Sequence, residues 1–127
     1  MSHDNQRVTV VDDEPDILTV LEIFLIKWEY KVDMFSSPRQ ALEHFEKNAS
    51  ACSVVLTDIR MPGMSGLELA GKMLKIKPDI KIILMTAFDI TSAELQAGLP
   101  AVTHQDLIEK PFYLPRICRE IRKRMPQ

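Results

Sequence analysis

Five polar side chains in this sequence come directly after short apolar runs of the kind that form β-strands: Asp12, Asp13, Asp58, Thr86 and Lys110. In an open parallel sheet the carboxyl ends of the strands lie at one edge, and ligands bind at that edge. We therefore expect the five side chains to meet at one site. Carboxylates next to an amine and a hydroxyl could bind a cation and an anionic group side by side.

The three carboxylates of this set predict a divalent cation. Carboxylates held together repel one another and resist ionisation unless a positive charge lies between them. Mg²⁺ prefers oxygen ligands and keeps several waters, so two carboxylates and a backbone carbonyl would leave positions for phosphoryl oxygens. The sequence lacks the spaced acids of a calcium-binding EF-hand loop. Zinc would favour His or Cys ligands, and the three histidines lie elsewhere.

The amine and the hydroxyl of the set indicate a phosphoryl group. Lys110 supplies a flexible point charge and Thr86 a hydroxyl donor, and both groups suit an anion. With a carboxylate and a metal ion, they are the groups that stabilise charge while an oxygen attacks phosphorus. Because no His, Ser or Cys is among these strand-end residues, Asp58 is the candidate nucleophile and would form an acyl phosphate.

The apolar pattern predicts the elements that must position these residues. Runs rich in β-branched residues alternate with segments in which apolar residues recur every three or four positions. The expected strands cover Val8–Val11, Tyr30–Phe35, Ser53–Thr57, Ile80–Met85 and Asp106–Glu109. Since each parallel connection needs a crossover, we expect an α/β fold with a doubly wound, five-stranded parallel sheet and five helices.

Local signals mark where the helices begin. Pro15 suits the first turn of one helix, Ser37 suits the cap of the next, and the Pro- and Gly-containing loop Arg60–Gly66 precedes a third. The weakest signal lies in Asp89–Gln105. There Thr91–Glu94 resembles a helix start, but a Gly and a Pro follow closely and would keep that helix short.

Length and composition restrict the class of protein. The 127 residues, of which 46% are hydrophobic, suffice for a single domain over residues 1–127, with an ordered core at about 6–124. With 16 basic and 18 acidic residues the formal charge is −2, so we expect no direct binding of nucleic acid by this chain. The apolar runs are far shorter than the roughly 20 residues that span a bilayer, so no membrane association is expected. Cys52 and Cys118 are expected to be small buried side chains, which favours a cytoplasmic location.

Four strings of residues, in this order and spacing, resemble the receiver domain of two-component response regulators. They are Val10–Pro15, Leu56–Gly66, Met85–Ala87 and Glu109–Phe112, and the resemblance covers nearly the whole chain. It implies a flavodoxin-like sheet with strand order 2-1-3-4-5. It also implies two-component signal transduction, in which a sensor histidine kinase or a phosphotransfer protein delivers a phosphoryl group to Asp58 in a Mg²⁺-dependent reaction.

The resemblance also assigns the metal ligands. Asp13 and Asp58 would bind the ion, with Asp12 in support and the backbone carbonyl of Arg60 as a further ligand. The ion would be Mg²⁺ or Mn²⁺. Of the two neighbouring acids, Asp13 is expected to contact the ion, and Asp12 to act through water or through the ligands.

The remaining residues of the set would report phosphorylation. The resemblance makes Thr86 and Lys110 the pair that senses the phosphoryl group, and it implies that the peptide bond before Pro111 is cis. Such a protein is not an enzyme with a separate substrate. It is a phosphoacceptor switch that assists its own phosphorylation and dephosphorylation and that changes partner binding.

One position departs from the pattern, because Leu107 stands where many receivers have Tyr or Phe. A leucine has no ring that can swing between an exposed and an inward state. We therefore expect unchanged phosphorylation chemistry, with the structural change spreading mainly through the loops after Asp58 and Thr86 and through Asp89–Gln105. The face formed by that stretch, the fifth strand and the last helix would bind an effector or a second copy of the chain.

Other interpretations fit parts of the pattern. Haloacid-dehalogenase-like phosphatases and phosphotransferases also form an aspartyl phosphate, but their nucleophile lies in a DxD pair after the first strand, whereas Asp58 follows the third. A degenerate receiver that acts only through protein contacts would lack an acid, the Thr or the Lys, and none is missing. Taken alone, Asp12–Glu14 would be helix-capping acids.

Overall fold

The computed structural model describes residues 7–87 and 106–126. Strands and helices alternate along the described chain. The elements are β1 (Arg7–Val11), α1 (Pro15–Lys27), β2 (Lys31–Phe35), α2 (Pro38–Asn48), a 3₁₀ helix (Ala49–Ala51), β3 (Cys52–Asp58), α3 (Gly66–Ile76), β4 (Lys81–Thr86), β5 (Leu107–Glu109) and α4 (Leu114–Arg124). All five expected strands are present, with ends that differ from the expectation by one residue.

The strands form one parallel sheet in the order β2-β1-β3-β4-β5. This order confirms the doubly wound topology, and the chain reverses direction across the sheet between β1 and β3. The described residues contain four α-helices. The fifth expected helix, at Thr91–Glu94, falls within 88–105 and lies outside the described residues.

Two apolar clusters cover the two faces of the sheet. Val54 and Val55 are consecutive residues of β3 and belong to different clusters, as the alternation of side chains along a strand requires. The cluster of Val55 contains side chains from α2 and α3, including Phe45 and Met73, and the cluster of Val54 contains side chains from α1 and α4. Within the described residues, each face of the sheet is thus covered by two helices.

Short caps fix where two of the helices begin. The Ser37 hydroxyl accepts a hydrogen bond from the Gln40 amide at the start of α2, and the Ser65 hydroxyl accepts one from the Glu68 amide at the start of α3. These bonds satisfy amides that have no partner inside the helix. The capped start of α3 keeps the loop after β3 short and close to the sheet edge.

Two arginines in the last turn of α4 make side-chain contacts that hold this end of the helix in place. The Arg124 guanidinium donates hydrogen bonds to the carboxylates of Glu120 and Asp106, each at 3.0 Å. Two residues earlier in the helix, the guanidinium carbon of Arg122 lies 4.7 Å from the ring centroid of Trp28, at the carboxyl end of α1. A guanidinium over an indole face is a favourable cation–π contact.

An ion pair on the other side of the sheet joins β1 to the edge strand β2. The Arg7 guanidinium donates two hydrogen bonds to the Asp33 carboxylate, at 3.0 and 2.7 Å. The His44 ring of α2 lies 3.6 Å from the same carboxylate. Although burial opposes the charge of Asp33, the hydrogen bonds and charge of Arg7, with His44, hold the pKa of this carboxyl below its ordinary value.

Two further expectations concern the cysteines and one peptide bond. Cys52 and Cys118 are both buried and unpaired, as expected, and burial raises the pKa of each thiol. The peptide bond between Lys110 and Pro111 is cis. Across residues 7–87 and 106–126, every helix is too short or too polar to cross a bilayer.

Candidate functional site

Four carboxylates converge at the carboxyl edge of the sheet. One oxygen from each of Asp12, Asp13, Glu14 and Asp58 lies within 4.8 Å of the others. The first three lie in the turn between β1 and α1, and Asp58 is the last residue of β3, the neighbouring strand. The parallel sheet therefore brings together acids that are 44 or more residues apart in the chain.

Asp12 is fully buried and both of its carboxylate oxygens have partners within the chain. Its Oδ1 accepts a hydrogen bond from the backbone amide of Glu14 at 2.9 Å, and its Oδ2 accepts one from Lys110 Nζ at 2.9 Å. A buried charge is tolerated only when it is paired in this way. Asp12 thus shapes the turn before α1 and holds the lysine.

Lys110 is positioned by its backbone as well as by its amine. Its amide donates a 2.7 Å hydrogen bond to the Thr86 carbonyl, which extends the pairing of β5 with β4. Its Nζ also lies 3.3 Å from Asp58 Oδ2 and 3.5 Å from Glu14 Oε1. Burial opposes the charged form, but the hydrogen bond and charge of Asp12, together with Asp58, raise the pKa of this ammonium above its ordinary value.

Asp58 carries a charge that its surroundings disfavour. Burial raises the pKa of this carboxyl, and the negative charges of Asp12 and Asp13 raise it further, while Lys110 only partly opposes them. Its side chain is 8% exposed. Positive charge added to the site would lower the free-energy cost of this carboxylate.

The backbone of Asp58 is held as closely as its side chain. Its carbonyl oxygen accepts a hydrogen bond from the Thr57 hydroxyl at 3.0 Å. A Cβ atom added at Gly66 would overlap this same carbonyl oxygen, so only glycine fits at the first position of α3. The Gly66 amide donates a 2.7 Å hydrogen bond to the Ile59 carbonyl. The start of α3 therefore packs directly on the end of β3 and fixes Asp58.

The other predicted site residues lie around this cluster. Thr86 is the last residue of β4 and is buried, one strand away from Asp58. Asp13 is exposed at the mouth of the cluster, and Arg60 is exposed in the loop after β3. The structure brings Asp12, Asp13, Asp58 and Lys110 together, and the ligand role of the Arg60 carbonyl stays a prediction.

Glu14 is the site residue that the sequence did not identify. We expected it to act at most as a helix-capping acid. It occupies the N-cap position of α1, but its side chain makes no capping hydrogen bond, and its own backbone amide donates to the Asp12 carboxylate. The Glu14 carboxylate instead reaches Lys110. The one signal in the sequence was its place beside two other acids, which is equally typical of an ordinary helix start.

The donor set fits a hard divalent cation. Its members are carboxylate oxygens, and the described cluster contains no sulfur or imidazole donor. Lys110 alone does not neutralise the four carboxylates, as the raised pKa of Asp58 indicates. Exposed Asp13 and buried Asp58 face each other across the mouth of the site, where an ion could keep several waters.

Comparison with known proteins gives one family. Residues 8–122 match the response regulator receiver domain. Over 118 residues the chain is 33% identical to the response regulator receiver protein CpdR of Brucella abortus (strain 2308), covering 93% of this chain and 95% of that protein. It is 34% identical over 97 residues to the transcriptional regulatory protein ZraR of Escherichia coli (strain K12), covering 76% of this chain but only 22% of ZraR.

A solved structure extends the similarity to three dimensions. The response regulator protein TrrA of Thermotoga maritima, crystallised in complex with Mg²⁺ and a beryllium fluoride, superposes with a TM-score of 0.80. The two sequences are 34% identical, and the superposition covers 94% of this chain and 99% of TrrA. The fold is thus shared with a response regulator protein of known structure.

Proposed function

Because the chain belongs to the response regulator receiver domain family, we propose that Asp58 is its phosphoacceptor in a two-component signalling system. The observation that supports this most directly is the environment of the Asp58 carboxylate. It lies among acids that raise its pKa, with Lys110 at 3.3 Å as its one cationic partner among the described contacts. Residues 1–127 would form a single receiver domain.

Phosphorylation would proceed by in-line attack of an Asp58 carboxylate oxygen on phosphorus. With a phosphohistidine of a sensor kinase or a phosphotransfer protein as donor, the O–P bond forms while the P–N bond breaks, and the imidazole leaves. Lys110 is held by Asp12 and would pair with the phosphoryl oxygens as negative charge moves onto the site. The Gly66 contact would keep the Asp58 carbonyl, and hence its carboxylate, in place for the attack.

The metal in this proposal is Mg²⁺ or Mn²⁺. Asp13 and Asp58 would bind it directly, and the Arg60 carbonyl would supply a further oxygen. Asp12 would act on the ion through water or through the other ligands. When bound, the ion supplies positive charge against the phosphoryl oxygens. Asp12 is given the supporting role because it is fully buried and each of its oxygens already accepts one hydrogen bond within the chain.

The switch would run from the phosphoryl group through Thr86 and Lys110 to a binding face. Each would donate a charge-assisted hydrogen bond to the new anion. The proposed binding face combines β5, α4 and Asp89–Gln105, of which the last lies outside the described residues. On its described part, Tyr113 is 67% exposed and Leu107 is half-buried. An effector or a second copy of the chain in the cytoplasm would bind there.

The proposal is tested by intact mass after incubation with acetyl phosphate and Mg²⁺. We expect one phosphoryl group on the parent protein, and none on Asp58→Asn or on the parent in EDTA. Asp33→Asn is the matched control, because Asp33 is also an aspartate of the sheet but is half-buried and lies in a different ion pair. Undiminished labelling of Asp58→Asn would show that another residue accepts the phosphoryl group.

A further inference from the structure

Glu14 is the most exposed charged contact of the lysine at the site. Its side chain is 61% exposed, whereas the side chains of Asp12 and Asp58 are 0% and 8% exposed. Its contact with Lys110 Nζ, at 3.5 Å, is the longest of the three. A long contact to an exposed carboxylate contributes little to holding the lysine. Glu14 is therefore not needed to keep Lys110 in place.

The charge of Glu14 is in excess within the cluster. Lys110 neutralises one carboxylate, for which buried Asp12 at 2.9 Å is the best placed. A divalent cation bound by Asp13 and Asp58 would neutralise two more. One negative charge then remains, on an exposed side chain. Because the Glu14 side chain is 61% exposed and that of Lys110 is 10% exposed, a phosphodonor that reaches Asp58 from solvent comes close to this charge.

We propose that Glu14 selects the phosphodonor by charge, disfavouring small dianionic donors relative to donors with a lower net negative charge. This inference rests on the proposed function of Asp58. At separations of about 4 Å, two charges in water interact strongly enough to change a rate about fivefold. Because Glu14 is exposed, added salt screens this repulsion. A donor presented by a protein surface could offset the charge with its own cationic groups.

Two small phosphodonors that differ in net charge but give the same product can separate the effect of donor charge from that of the reaction itself. Acetyl phosphate is a dianion at neutral pH, and its transfer forms the Asp58 O–P bond while the bond from phosphorus to the acetate oxygen breaks, so that acetate leaves. Phosphoramidate carries a lower net charge because its nitrogen is protonated. Its P–N bond breaks as the O–P bond forms, and ammonia leaves. Both reactions give the same acyl phosphate, and both balance without a further reactant.

The experiment compares Glu14→Gln with the parent protein for both donors. Gln keeps the size of the side chain and removes its charge. Asp16→Asn is the matched control, because Asp16 is an exposed acid in the first turn of the same helix but is not part of the carboxylate cluster. Rates of Asp58 labelling are followed by intact mass at low and high salt, with Mg²⁺ saturating for each variant. Calorimetry gives the Mg²⁺ affinity separately.

We expect Glu14→Gln to raise kcat/KM for acetyl phosphate about fivefold at low salt, and for phosphoramidate by about twofold or less. The difference between the donors should shrink at high salt, and Asp16→Asn should leave the ratio of the two rates unchanged. Mg²⁺ affinity should stay within about threefold of the parent value, as expected for an exposed charge beside the ion.

Three results would overturn the selection by Glu14: equal effects on both donors, a donor ratio that does not respond to salt, or an equal change of the ratio in Asp16→Asn. A loss of Mg²⁺ affinity of about tenfold or more in Glu14→Gln would make Glu14 a metal ligand instead. If neither donor labels the parent protein, the proposed function of Asp58 itself fails. If both donors label the parent and Glu14→Gln behaves like it, only the role of Glu14 fails.

Discussion

Two aspartates of the same sheet have pKa values that move in opposite directions. Asp58 and Asp33 are both largely removed from solvent, with side chains 8% and 17% exposed. Burial raises the pKa in both cases, but Arg7 and His44 reverse the effect at Asp33, whereas Asp12 and Asp13 reinforce it at Asp58. One carboxylate is matched by cations and the other is crowded by anions.

This difference separates a structural ion pair from a reactive group. The Arg7–Asp33 pair ties β1 to β2, and the described contacts leave no excess charge there for a ligand to neutralise. The cluster around Asp58 carries excess negative charge that a bound cation would relieve. Burial alone therefore does not identify a functional aspartate. The sign of the neighbouring charges does.

The largest effect should follow from removing the one ammonium in the Asp58 cluster. Lys110→Met leaves Asp12 buried without its cationic partner, which should cost about 3 kcal/mol of unfolding free energy in the absence of divalent cations. Urea denaturation followed by circular dichroism measures this loss. Lys123→Met is the control, because its ammonium is exposed and pairs with Glu120 on the surface of α4; we expect a change of about 0.5 kcal/mol or less. Equal losses in the two variants would contradict the importance of the buried pair.

An intermediate effect on the unfolding free energy should follow when Asp33 or Asp58 is replaced by Asn, and the two changes should have opposite signs. Asp33→Asn weakens a satisfied ion pair and should lower the unfolding free energy by about 1 kcal/mol. Asp58→Asn removes a charge that its neighbours repel and should raise the unfolding free energy by about 1 kcal/mol in EDTA. The same urea titration measures both. If both variants were destabilised to the same extent, the contrast between the two aspartates would be wrong.

The smallest effect is the pH dependence of the Asp33 contribution. The folded pKa of Asp33 is lowered, so its stabilisation is fully present above the unfolded pKa of about 3.9 and is lost as the pH falls through the folded pKa. The difference in urea midpoint between the parent and Asp33→Asn should thus be constant near pH 5 and shrink below about pH 4. A difference that grows in acid would mean that the folded pKa is raised.

The fold was largely predictable because its strands are marked by composition. Val8, Val10, Val54 and Val55 are β-branched and fully buried, and the runs that contain them have few polar interruptions. The alternation with helical segments then requires parallel strands. The strand order 2-1-3-4-5 followed only from the resemblance, since no local pattern encodes which strand lies beside which.

The sequence predicted most residues of the site, but it predicted their contacts less well. The place of Asp58 and Lys110 at strand ends was enough to bring them together at one edge of the sheet. The Glu14 side chain does not cap α1 and instead reaches Lys110, which is 96 residues away in the chain. Such a choice between a local and a distant partner is decided by the folded geometry. The pairing of Arg7 with Asp33 was missed for the same reason.

Because Arg122 of α4 stacks on Trp28, the protein's one tryptophan is a fluorescent probe of the contact between α4 and α1. At 1.5 Å per residue, the 13 residues of α1 place Trp28 about 20 Å from the acids at the other end of that helix. Its fluorescence emission should therefore be insensitive to a cation bound beside Asp13, but sensitive to whether α4 stays docked on α1. A spectral change on phosphorylation would thus report movement of α4 relative to α1.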